Sequence, residues 1–435
     1  MSAIASPLVR LSAVGLALVW SLPPHTSGGE GDWPQWRGPN RDGHAAPQSL
    51  LQHWPSAGPP LLWEFEQAGR GYASVAVAGG RAYTLGARNG SCFAICLDVD
   101  TGRLVWETEI SRASTDDDYL HGWGGGPRGT PTVDGDRLFA LSDIGVLAAL
   151  DRDGGSILWT TDLVADHGGS IPKWGYSESP LVDGDRVIVT PGESGFMIGL
   201  DRGDGHVVWR SRSFDEPAQY ASIVRGSVGE RPFYVTAAGS GLVAFDTESG
   251  ELLFHDETTG NRTAVIPTPL VAGDRVYHTS GYGAGNTLLR LRADGPGLRA
   301  ESVYHHHGKT MVNHHGGVVL VDDTIYGFST ADGGVWMAQD FQTGQVLWTE
   351  KIRPNSSGSI AYADGRLVCY NDRDGSLILV EPDRQGWCPR GEVRLPRQTL
   401  LSRDRGAIWT HPVIAAGKLF VRDQDLVFAY DIRAE

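Results

Sequence analysis

A short apolar strand, a turn built from Asp and Gly, and a second apolar-aromatic strand recur eight times along this chain. The unit begins as VAGGRAYTLG at Val77, VDGDRLFALS at Val133, VDGDRVIVTP at Val182 and VGERPFYVTA at Val228. It continues as VAGDRVYHTS at Val271, VDDTIYGFST at Val321, YADGRLVCYN at Tyr362 and IAAGKLFVRD at Ile414. The starts lie about 40–55 residues apart, a period typical of units that cannot bury their faces alone and must stack on neighbours. A second hairpin follows in most units: FAICLDVDTGRLVW from Phe93, LAALDRDGGSILW from Leu147, MIGLDRGDGHVVW from Met197 and MAQDFQTGQVLW from Met337. In each, an alternating strand leads to an Asp-x-x-(Asp/Thr/Ser)-Gly turn and then to a strand ending on an aromatic ring. Glycine accepts the positive φ such turns need, and the Asp side chain caps the turn amides. The fourth unit replaces Trp with Phe254, and the fifth and seventh are degenerate. Asp-x-Asp-Gly also suggests calcium, but its repetition points to turn chemistry, and no EF-type ligand set follows.

Four strands per unit make one propeller blade. The last unit stops at Leu426–Asp431 (LVFAYD) without its outer strand, and LLWEFE, starting at Leu61, supplies a matching one before the first blade. Pairing the two would remove the open edges that invite aggregation. The expected fold is therefore all-β: an eight-bladed β-propeller of four-stranded antiparallel blades, closed by the N-terminal strand, with residues 29–435 as a single domain. Composition agrees. The 435 residues include 58 Gly and 14 Trp with only 20% charged residues, which suits short strands and tight turns.

Residues 1–28 read as a signal peptide, with Arg10 ahead of an apolar run from Leu11 to Trp20 that is too short to span a bilayer. No later run approaches the ~18 residues of a membrane helix, and no Cys follows the apolar run to carry a lipid. A soluble periplasmic or secreted protein, and a monomer, is expected. A formal net charge of −15 argues against nucleic acid or an anionic membrane as partner. Cys92 and Cys96 share a strand about 13 Å apart and cannot bond each other. Cys369 and Cys388 flank one hairpin unit, where a disulfide and two free thiols both remain open.

The Leu-Asp-x-x-(Thr/Asp)-Gly-x-x-x-Trp hairpins resemble the pyrroloquinoline quinone (PQQ) repeat of quinoprotein alcohol dehydrogenases and of BamB-type outer-membrane assembly factors. DWPQWRGPNRDG (Asp32 to Gly43), WGYSESPLVDGD (Trp174 to Asp185), NHHGGVVLV (Asn313 to Val321) and HPVIAAGKLFVRDQDL (His411 to Leu426) are similar to exported PQQ-like repeat proteins of planctomycete type. The likeness covers about Asp32 to Asp431.

In a propeller the loops before the inner strands converge on one face, where ligands bind. Those loops carry Tyr72, Ser74, Arg128, Thr130, Trp174, Tyr176, Glu178, Ser179, Tyr220, Ser222, Thr268, Asn313, His314, His315, Ser359, Trp409 and His411. From these we single out Trp174, Tyr176, Glu178, Asn313, His315, Trp409 and His411 as candidate cofactor- or ligand-binding residues. Asn313 to Gly317 places adjacent His314 and His315 on opposite faces of a strand, so at most one faces the channel, where His411 of the last blade joins it. A metal needs three or four converging ligands; Glu178, His315 and His411 are the nearest set, and no metal site is expected. The run His305-His306-His307 reads as an exposed strand or loop of the degenerate fifth blade.

The resemblance implies, for its quinoprotein members, PQQ on a Trp floor beneath a disulfide of adjacent cysteines, calcium held by Glu, Asn and Asp, and an Asp base. Here no cysteines are adjacent. Glu178 and Asn313 match two ligands and Trp174 or Trp409 a platform, but no motif places the Asp base. No Cys-x-x-Cys-His offers haem attachment, and no G-x-S-x-G offers a hydrolase nucleophile. The expectation is a non-catalytic, BamB-like binding or scaffold protein of the cell envelope, without a bound cofactor, that takes an envelope protein or small ligand on its loop face. The alternative is a PQQ–calcium or metal-dependent dehydrogenase of alcohols or sugars.

Overall fold

A computed structural model of the chain describes residue 29, residues 31–352 and residues 354–434; the expected signal peptide, residues 1–28, lies outside the described residues. Eight four-stranded antiparallel sheets follow one another around a central axis. Blade 1 begins with Ala76–Ala78, blade 2 with Thr132–Asp134, blade 3 with Leu181–Asp183 and blade 4 with Val224–Val228. Blade 5 begins with Leu270–Ala272, blade 6 with Val318–Val321, blade 7 with Gly358–Ala363 and blade 8 with Val413–Ala415. Blade 8 takes its outer strand from Leu61–Phe65, which pairs antiparallel with Leu426–Asp431, so the expected closure is present.

The repeated Trp and Gly are two halves of one joint between blades. The outer Trp lies opposite a small residue of its own blade, as Trp106 does with Cys96, Trp159 with Ala149 and Trp209 with Gly199. Its indole reaches the turn of the next blade. Trp63 Nε1 donates to Val99 O (3.1 Å), Trp106 Nε1 to Arg152 O (3.2 Å) and Trp159 Nε1 to Arg202 O (3.1 Å). The ring sits on the turn glycine: a Cβ on Gly102 would lie 2.6 Å from Trp63, and one on Gly155 2.6 Å from Trp106. Positive φ at both positions (67° and 72°) closes the same turn, so glycine is required twice over. The joint of blade 8 onto blade 1 is thus built like the others. In the degenerate fifth blade, the end of the long outer strand Gly297–His306 takes the seat of the Trp, with His306 against Gly344.

Asp side chains cap these turns as expected: Asp151 Oδ1 accepts Gly154 N (2.6 Å) and Asp98 Oδ1 accepts Thr101 N (3.1 Å). All four cysteines are free.

The segment Asp32–Gly43 crosses the axis and touches the inner edge of every blade, either itself or through the residues that follow it. Trp33 exchanges backbone hydrogen bonds with Val77 (2.8 Å each) and Pro34 O accepts Val133 N (2.8 Å). Arg41 donates to the carbonyls of Ser179 (3.1 Å), Pro180 and Ile223 (2.9 Å). Trp36 Nε1 reaches Thr268 Oγ1 (2.8 Å), Arg37 reaches Val318 O, Gly43 O accepts Tyr362 N (2.8 Å), and Gln48 Nε2 reaches Ile414 O (3.3 Å). This plug fills the hub and gives the loop face a floor.

Candidate ligand-binding site on the loop face

Above the plug, the loops that precede the inner strands surround a cup of about 240 Å³. Trp36 contributes to its lining, edge-on to His411 with ring centroids 4.4 Å apart. One wall is Tyr72, Trp123 and Trp409: Trp123 stacks on Trp409 at 6.2 Å and 25°, and Tyr72 tilts onto Trp409 at 5.6 Å. Trp174 and Tyr220, 5.9 Å apart, form another. Arg128 lies over the Tyr72 ring (4.8 Å) and is fixed by donating to the carbonyls of Trp174 (2.8 Å) and Gly124 (2.5 Å). His314, His315 and Tyr282 also line it, with Tyr282 OH 3.1 Å from His314 Nε2, and Ser177, Thr263, Ala264 and Ile266 fill the rest.

Trp123 is delivered by the long connection between blades 1 and 2. Buried Asp143 anchors that loop, its Oδ2 accepting the hydroxyls of Ser114 and Tyr119 (2.5 Å each), while Tyr119 OH accepts Gly126 N (3.0 Å). Both adjacent histidines line the cup, contrary to the strand expectation, because the inner strand of blade 6 starts only at Val318 and the chain bends at residues 314–316. Their burial removes the imidazolium from water. It lowers His314 to about 4, depresses His315 strongly and, with the nearby Arg37 charge, lowers His411 to about 3. All three are neutral at neutral pH. His315 Nδ1 pairs with Ser357 Oγ (2.9 Å), and the buried Nε2 atoms of His315 and His411 have no hydrogen-bond partner.

Of the seven singled-out residues, Trp174, His315, Trp409 and His411 meet at the cup. The other three lie behind it. Tyr176 is buried in the core between blades 2 and 3 and donates to Pro191 O (2.9 Å). Asn313 uses its whole amide on backbone, donating to Gly317 O (2.9 Å) and Phe328 O (3.0 Å) and accepting Gly317 N (3.0 Å). Glu178 is buried, with Oε1 accepting Thr190 N (2.6 Å) and Oε2 unpartnered; burial raises it to about 7 against the pull of Thr190 and Arg41. The hydroxyl residues of the ring tie blades together: Ser222 Oγ accepts Ser179 N (3.0 Å), Ser179 Oγ accepts Thr130 N (2.8 Å), Thr130 Oγ1 accepts Ser74 N (3.2 Å) and Ser74 Oγ accepts His411 N (2.9 Å). Trp36, Trp123 and Tyr282 were not anticipated; the one sequence signal was aromatic residues inside Gly-rich, aperiodic segments.

The calcium–quinone set does not fit these residues. The Asn313 amide is fully consumed, Glu178 lies behind the cup, no carboxylate lines the cup among the described residues, and the cysteines are free and apart. The one group of three metal-ligating side chains among the described residues, Asp201, Asp204 and His206, lies on an outer turn of blade 3. Its carboxylates already accept turn amides, Gly203 N at 2.6 Å and His206 N at 3.1 Å.

Fold and site together define an eight-bladed propeller with a plugged hub and an aromatic cup on its loop face. The model for the outer membrane protein assembly factor BamB matches residues 93–350, and the chain belongs to that family. It is 25% identical over 339 residues to the BamB of Yersinia pestis, covering 74% of this chain and 76% of that protein. The BamB structure of Moraxella catarrhalis superposes with a TM-score of 0.59 at 17% identity, over 86% of this chain and 98% of that one. The quinohemoprotein alcohol dehydrogenase of Pseudomonas putida gives 0.63 at 12% identity, over 95% and 83%. These two likenesses concern the fold. No helix of the described residues is long and apolar enough to cross a membrane.

Proposed function

We propose that this chain is a non-catalytic binding propeller of the cell envelope, exported to the periplasm or beyond, which acts as a monomer through its loop-face cup on a small ligand or an envelope protein. The observation that carries the reading is the chemistry of the cup: rings, neutral imidazoles and a pinned arginine surround it, and among the described residues no carboxylate lines it to serve as base or calcium ligand. Membership of a family named for outer-membrane protein assembly supports the envelope setting. A second reading, a quinone-dependent dehydrogenase, draws on the Trp-lined cup and on a fold shared with a quinohemoprotein alcohol dehydrogenase. Titration of the purified protein with PQQ and Ca²⁺, followed by dye-linked oxidation of alcohols and sugars, separates the two. The binding reading expects neither saturable quinone binding nor turnover; both together would replace it with the dehydrogenase.

A further inference from the structure

Next to the cup lies a second hollow of about 370 Å³, and the two share Trp123, Tyr282, His314 and Trp409 as a common border. Together they form one basin of the size that holds small organic ligands. Its charge is opposite to that of the molecule. The chain carries a formal net charge of −15, yet Arg128 lines the cup and Arg373 and Arg405 line the annex. The single carboxylate of the lining among the described residues, Asp372, is occupied by the amide (3.0 Å) and hydroxyl (2.9 Å) of Ser356. An arginine-lined concavity on an acidic protein focuses a positive field on whatever enters.

Two further observations narrow the ligand. His315 and His411 are more than nine-tenths buried, line the cup, and leave Nε2 without a side-chain partner, polar edges that suit an occupant with hydrogen-bonding groups of its own. The cup wall is built of the stacked indoles of Trp123 and Trp409, and an aromatic wall suits the weakly positive C–H face of a saturated ring. The annex is lined by polar side chains, Thr330, Ser356 and Ser357, whose hydroxyls already pair with Val312 O (3.0 Å), Asp372 Oδ2 (2.9 Å) and His315 Nδ1 (2.9 Å), so its two arginines are the groups left to meet an occupant.

We infer that the basin binds an anionic carbohydrate, with one sugar ring against the tryptophan wall and its acidic groups, carboxylate or sulfate, toward Arg128, Arg373 and Arg405. This rests on the reading of the cup as a binding site. The test is calorimetric and tryptophan-fluorescence titration of the whole mature protein with four probes of similar length: oligogalacturonate, a sulfated galactan oligosaccharide, its neutral counterpart and polyglutamate. At least one acidic sugar should bind saturably, tenfold or more tightly than the neutral one, and weaken as salt is raised. The two acidic arms distinguish carboxylate from sulfate. Arg405→Gln, at an exposed position, should weaken binding about fivefold, and Trp123→Ala about tenfold, with the melting temperature unchanged. Equal binding of the neutral sugar would overturn the role of the arginines, and equal binding of polyglutamate the role of the rings. No binding of any oligosaccharide would overturn the inference itself. The quinone titration judges the non-catalytic reading separately, so the two failures can be told apart.

Discussion

Glu178 is a carboxyl group with nowhere to put its charge: one oxygen accepts Thr190 N, the other has no partner, and Arg41 acts on it only through space. Burial raises it to about 7 from an ordinary 4.5, so the folded chain holds a proton that the unfolded chain releases. The sign follows from linkage. Between pH 4.5 and 7 the folded state binds more protons at this position, so its contribution to stability falls as pH rises, by an amount on the order of 3 kcal/mol across the window. Glu178→Gln keeps an acceptor for Thr190 and cannot ionise. Its stability relative to wild type should climb from pH 5 to pH 8, measured as the difference between denaturant midpoints; a flat difference would refute the assignment. At this scale the sequence located the loops that surround the cup but not the direction of each side chain. Trp409 and His411 face the cup, whereas Tyr176 and Asn313, in equivalent loops, turn into the core or onto backbone carbonyls. A pattern of two-residue alternation cannot settle orientation where the chain bends, as it does at residues 314–316.

Among the elements, the hairpins and the closing strand were legible, and the plug was not. A hairpin announces itself through alternation and an Asp–Gly turn, and Leu61–Phe65 through the outer strand that blade 8 lacks. Asp32–Gly43 has no period. Its shape comes from carbonyls presented by the surrounding blades, and Arg41, almost fully buried, has three of them as partners. The same argument separates two truncations. Removing residues through Glu66 takes the outer strand of blade 8 and the Trp63 joint to Gly102, and should abolish cooperative folding or lower the melting temperature by well over about 10 °C. Removing residues only through Gly43 keeps that closure but takes Arg41 from three carbonyls: Pro180 O keeps Thr132 Oγ1 (2.6 Å), while Ser179 O and Ile223 O lose their Arg41 donor, at about 1–3 kcal/mol each where they stay out of water. The ring should still form, melt earlier, and lose the Trp36 side of the cup. Differential scanning calorimetry of the two truncations checks the order; equal melting of both with the full chain would mean that neither closure nor plug matters.

At the scale of the whole molecule, stability is distributed around a ring of similar joints, while its response to acid is concentrated in the hub and the blades around it. His278 and His314 are held at about 4, His411 at about 3 and His315 well below its ordinary value, in each case mainly by desolvation. His278 lies outside the cup, pinned by Thr259 Oγ1 (2.7 Å) and Pro267 O (3.1 Å), so the effect does not depend on a ligand. A group whose folded pKa lies below its unfolded value near 6.5 leaves stability intact above that pH; the contribution is lost as pH falls from 6.5 toward the folded pKa. Glu178 opposes this with one proton of the other sign over part of the same range. The four histidines outweigh it: near pH 5.5 these five groups together make unfolding take up about three protons, so stability should fall by at least about 4 kcal/mol for each pH unit, with His121, His167 and His305, also lowered by burial, adding in the same direction. Urea unfolding at half-unit steps from pH 5 to 7 measures that slope directly. His278→Gln should reduce the uptake by close to one proton without touching the cup, provided the variant still melts cooperatively. A slope near zero would mean that the hub histidines can charge in the folded state, and that water reaches a region the plug is built to seal.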